Sequence, residues 1–136
     1  VFDTWNAASF YFLDGNGNVA ECIVRYDLQN HRSAPFDLSQ FLCINEVGTP
    51  CDDILATNTH IEQKTGSAFW RGNHVRFGTN GNQEGLFLLA NPLLKKEWFP
   101  IDLPVQSTPY AAQIETLHGR FRVNYTADKQ LTITKT

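Results

Sequence analysis

The chain has no methionine and only three cysteines, Cys22, Cys43 and Cys51, among 136 residues. So few, and an odd number, exclude a disulfide-dense scaffold and allow at most one intrachain bridge. Charge is also sparse. Asp, Glu, Lys and Arg make up 18% of the chain, and 11 cationic against 14 anionic side chains leave a net charge of −3. That balance lacks the basic footprint of a general nucleic-acid binder. No apolar run approaches the roughly 18 residues that signal a membrane-spanning helix. The longest, Leu86–Ala90, has the length of a buried strand. His31, His60, His74 and His118 never fall at a zinc-ligand spacing. Asp52 and Asp53 with Glu62 read as a capped, solvated loop rather than a cation site. No metal or other cofactor is therefore expected. No Gly-rich loop opens a helix, and no Cys–His signature marks a nucleophile, so enzymatic chemistry finds no support. With no methionine and a start at Val1, the chain reads as one that has lost its initiator, alone or with a leader, and secretion is the expected localisation.

Hydrophobic residues are plentiful at 42%, aromatics at 12%, enough for the core of one domain. Turn chemistry punctuates them: Asp14-Gly15-Asn16-Gly17-Asn18, Gly48-Thr49-Pro50, Gly78-Thr79-Asn80-Gly81-Asn82 and His118-Gly119. Between the turns lie Ser9–Leu13, Val19–Tyr26, His74–Phe77, Leu86–Ala90, Arg120–Tyr125 and Gln130–Thr134, which predict strands and hairpins. Phe121, Val123 and Tyr125 alternate with Arg122 and Asn124, the pattern of a half-buried strand. The best helix candidate is Asp52–Gln63, capped by Asp52 or Asp53, and Asp37 is placed to cap one turn over Leu38–Leu42. Cys43 and Cys51 flank a turn and form the one plausible disulfide, while Cys22 reads as a buried thiol. Asn124-Tyr125-Thr126 is a glycosylation sequon, relevant only to a secreted protein.

An internal repeat is visible at an offset of 65 residues. Identities within residues 5–38 include Trp5/Trp70, Phe12/Phe77, Pro35/Pro100, Asp37/Asp102 and Leu38/Leu103. The turns align as well, Asp14–Asn18 over Thr79–Gln83. A second echo sets Ile61-Glu62-x-x-x-Gly66 against Ile114-Glu115-x-x-x-Gly119.

These residues resemble the cyanovirin-N homology (CVNH) lectins, tandem-repeat β proteins whose halves exchange strands. The first repeat shows Phe10-Tyr11-Phe12, the Asn-Gly turn, Val19-Ala20-Glu21-Cys22 and Phe36-Asp37-Leu38. The second shows Val75-Arg76-Phe77, Leu86–Ala90, Ile101-Asp102-Leu103 and Ile114–Phe121. Asn45–Gly48 is taken as the Gly turn of the first repeat, with Ile61–Trp70 the competing candidate. Thr49–Thr65 is then an insertion. The cysteine that would partner Cys22 near Ala8 is missing.

The resemblance implies an all-β, pseudo-twofold, strand-exchanged fold with short helical turns. Residues 1–136 would form a single domain, repeat one about 1–65 and repeat two about 66–136. It implies a non-enzymatic lectin for mannose-type oligosaccharides or glycoprotein glycans, as a monomer or a domain-swapped dimer. One site would use Asn45, Glu46, Arg71, Asn73 and Asn91. The other would use Asp3, Thr4, Asn6, Arg25, Thr116 and His118, weakened because Leu117-His118 replace the family's apolar residue and Asp. The alternative is a CVNH-like or other small secreted β protein that acts through protein contacts without binding sugar.

Overall fold

The computed structural model describes residues 5–33 and 35–136. The chain divides into two compact units, Val1–Cys43 and Ile44–Thr136. The division does not coincide with the expected repeat boundary near residue 65, because residues 44–65 belong to the same unit as residues 66–136.

The first unit is a hairpin with two 3-10 turns. Strands β1 (Ala7–Leu13) and β2 (Val19–Arg25) pair antiparallel. The predicted Asp-Gly-Asn-Gly-Asn turn closes them. Asp14 Oδ1 accepts from the Asn16 and Asn18 amides at 2.8 and 2.9 Å, and Gly17 supplies the left-handed residue at φ 81°. The predicted turn after Asp37 is a 3-10 helix at Leu38–Gln40, with the Asp37 carboxylate accepting from the Ser39 amide.

The second unit holds helix α1 (Ile54–Thr65) and strands β3 (Glu46–Pro50), β4 (Phe69–Gly72), β5 (Phe77–Asn82), β6 (Gly85–Ala90), β7 (Glu97–Trp98), β8 (Leu103–Pro104), β9 (Tyr110–Thr116), β10 (Gly119–Tyr125) and β11 (Leu131–Lys135). One sheet has the order β3-β6-β5-β4, with β3 parallel to β6. Another is the meander β11-β10-β9, and β7 pairs with β8. The unit is mostly β, as expected, with α1 against both larger sheets.

The helix forms where Asp53 caps it, its Oδ1 accepting from the Ala56 amide at 2.9 Å, and stops at Gly66 in the left-handed region. Ile54, Asn58, Ile61 and Thr65 lie on one stripe of the helix and are buried. Ile54 and Ile61 join Cys51, Phe87, Leu89, Phe121, Val123 and Ile133 in the core. Thr49–Thr65 is thus no peripheral insertion but supplies the element on which the core is built. The polar members of the stripe are bonded. Asn80 Nδ2 donates to Asn58 Oδ1 at 2.8 Å, Ser67 Oγ donates to Asn80 Oδ1 at 2.5 Å, and Thr65 Oγ1 lies 2.8 Å from Ser67 Oγ. This network satisfies buried polar atoms and ties α1 to β5.

Three expectations are corrected. Gly78–Asn82, read as a turn, is strand, because Thr79 and Asn80 are fully buried and bonded within the unit. Asn45–Gly48, read as a Gly turn, leads into and forms β3, where Gly48 leaves room for the Trp98 ring. Cys43 is exposed and Cys51 is buried, and both are thiols; Cys22, read as buried, is a half-buried thiol on the two-stranded hairpin. Burial pushes the Cys51 thiol above its ordinary pKa.

The 65-residue offset does not carry the strand register. It would place Phe77 opposite Gly85, as Phe12 lies opposite Ala20, yet Phe77 pairs with Ala90. The second hairpin turns tightly at Gln83-Glu84, five residues shifted in pairing, and lies inside a four-stranded mixed sheet.

Candidate functional site

An open groove of about 780 Å³ lies in the second unit where the end of α1 meets β10 and β11. Phe121 and Ile133, both core residues, line it together with Glu62, Gln63, Lys64, His118, Thr134 and Lys135. An apolar floor under a polar rim follows from the strand pattern. Phe121 and Ile133 are buried, while their chain neighbours face solvent.

Two glycines shape it. Gly66 ends α1 at φ 71°, donating its N–H to Glu62 O at 2.9 Å, and a Cβ there would overlap the His118 ring. Gly119 opens β10 at φ 126°, and a Cβ there would lie 2.8 Å from Lys135 Cε. Each glycine therefore serves a positive φ and a close approach together. The β9–β10 turn is held to the helix end by Thr116. Its Oγ1 donates to Thr65 O at 2.8 Å and accepts from the His118 amide at 3.1 Å. Glu62 Oε1 accepts the Phe69 amide at 2.9 Å, and Lys135 Nζ lies 5.9 Å from the Phe121 ring centre.

The structure disperses the site expected around Asn45. Glu46 is on β3 and Arg71 on β4, the opposite edges of a four-stranded sheet. Three strand spacings, about 14 Å, separate those edges. Asn45 Nδ2 donates to Gln83 O at 2.7 Å, where β6 begins. Asn73 and Asn91 lie at the other end of the sheet and organise turns. Asn73 Oδ1 accepts from Val75 and Arg76, and Asn91 Oδ1 accepts from Leu93. Arg71 places its guanidinium 4.8 Å from the Trp70 ring centre. Asn73 and Asn91 thus hold local turns.

Of the second expected site, Asp3 and Thr4 lie outside the described residues. Asn6 and Arg25 belong to the first unit, where the Asn6 side-chain amide donates to Asp27 and Arg25 stacks 5.8 Å from the Trp5 ring centre. Thr116 and His118 belong to the second. His118 lines the groove, Thr116 positions it, and Leu117 is fully exposed.

Sequence reasoning missed Glu62, Gln63, Lys64, Thr134 and Lys135. One signal pointed to them: the Ile-Glu-x-x-x-Gly echo ends on Gly66 and Gly119, the two glycines that seat His118 and Lys135. Among the described residues no cluster of His, Cys, Asp and Glu suits a metal ion, and no helix is long and apolar enough to cross a membrane. Compared with known proteins, the chain matches no family model and no curated protein.

Proposed function

We propose that this chain is a non-enzymatic carbohydrate-binding protein and that its sugar site is the groove beside His118. The observation that carries the reading is the groove's composition. Sugar recognition uses an apolar surface for the C–H face and closely spaced donors and acceptors for the hydroxyls. The small edges that Phe121 and Ile133 leave open at the groove floor, 4% and 5% of each residue, give the first, and Glu62, Gln63, His118 and the two lysines offer the second. The kinship to CVNH lectins, with their mannose-type ligands and pseudo-twofold strand exchange, belongs to the same proposal and rests on the identities at the 65-residue offset. The differing hairpin registers weigh against it, so the groove is the stronger support. NMR titration with a panel of oligosaccharides, mannose-type included, tests it. Shifts are expected at Glu62–Gly66, His118 and Thr134–Lys135. No shift with any glycan, or shifts centred on Asn45 and Arg71, would overturn it.

A second reading, action through protein contacts, is favoured by one observation. Alternate residues Ala8, Phe10 and Phe12 share a hairpin face with Ala20, Cys22 and Val24, and Phe10 is 64% exposed. Paired Phe10→Ser and Phe12→Ser changes that abolish self-association in sedimentation would support it. A monomeric parent protein would count against a dimer through this face.

A further inference from the structure

We infer that the groove beside His118 reads a carboxylated sugar, such as a uronic acid within an oligosaccharide, rather than a neutral one; this rests on the carbohydrate reading above. The rim is unbalanced in charge. Lys64 and Lys135 both line it, and neither forms an ion pair among the described residues. Glu115 pairs with Arg120 and Asp52 with Lys129, so the groove lysines are not held by those carboxylates. Glu62 is the one carboxylate of the groove, and its Oε1 is turned to the Phe69 amide.

Lys135 is placed by packing rather than by charge. Its Cε runs over Gly119, where no Cβ intervenes, and its ammonium lies 5.9 Å from the Phe121 ring centre, above the apolar floor. Lys64 sits in the last turn of α1, where the helix end carries about half a negative charge. Against the Glu62 carboxylate and that partial charge, the two ammonium groups leave the rim net positive. The His118 ring stands beside them to meet hydroxyls. The ammonium groups can donate to a neutral hydroxyl as well, but only a carboxylate adds the attraction of two full opposite charges to those hydrogen bonds.

The experiment is calorimetric titration of the full chain with an oligouronate and with the same oligosaccharide after reduction of its carboxyls. The oligouronate is expected to bind at least tenfold more tightly. Combined Lys64→Gln and Lys135→Gln changes are expected to remove the preference, so that the oligouronate and the neutral ligand bind the variant equally. Lys96→Gln removes one charge from an exposed position outside the groove and is expected to change neither affinity. Equal affinity for the two ligands would overturn the inference and leave the carbohydrate reading standing. A preference that survives the double change, or an equal loss with Lys96→Gln, would also overturn it. Binding of neither ligand, nor of any other glycan, would remove both.

Discussion

The two units use the same strand chemistry and differ in what covers it. In the second, Phe87, Leu89, Phe121, Val123 and Ile133 face a helix and are buried. In the first, Phe10, Phe12 and Val24 line one face of a two-stranded hairpin and remain exposed. A hairpin of two strands has no layer of its own to bury such a face, whereas α1 gives the second unit one. Stability is therefore expected to reside in residues 44–136.

The largest effect sharpens that comparison directly. Ile61→Ala, at a fully buried core position, is expected to cost about 2–5 kcal/mol in chemical denaturation. An equal loss for Phe10→Ala would break the contrast between the units.

Next is an alkaline transition confined to the second unit. Burial pushes the Tyr110 hydroxyl from its ordinary 10.0 up to about 12. The phenol stays protonated in the folded chain while the unfolded chain ionises. Its contribution is full below pH 10 and is lost as pH rises towards about 12, on the order of 2–3 kcal/mol at the upper end. Thermal melts across that window are expected to show the fall, with a smaller slope in Tyr110→Phe. A melt independent of pH there would show that the Tyr110 hydroxyl is not shielded from water in the folded chain.

Asn80→Ala is expected to cost about 1–3 kcal/mol, because Asn58 and Ser67 lose a partner inside the core. The check is the denaturation midpoint at unchanged slope. Asp53→Ala removes the α1 cap and is expected to cost about 1 kcal/mol. Smallest of all, Phe12→Ser is expected to move stability by no more than about 0.5 kcal/mol, as for other exposed positions. Amide exchange that is slower in β1 and β2 than in β6 and β10 would reverse the whole ordering.

Much of the local structure was legible. The β1–β2 turn, the Asp37 and Asp53 caps and the alternating strands β10 and β11 each depend on residues within a few positions of one another. The same rules misread Gly78–Asn82 and Asn45–Gly48. Glycine and asparagine there looked like turn chemistry, but Asn80 is held by Asn58 and Ser67, and β3 by a parallel neighbour some 40 residues on.

The sequence by itself determined the β1–β2 turn, the presence of a helix beginning near Asp53, and the predominance of strand, because hydrogen bonding of caps and turns is local. Only the tertiary structure decided that α1 is the centre of a core, and that the helix end meets a distant hairpin turn to make a groove. Thr116 bonds Thr65 across 51 residues, and the Gly66 and Gly119 seats depend on side chains brought from His118 and Lys135. Contacts of that span are chosen by which apolar faces cover one another, and no short window of sequence contains both partners.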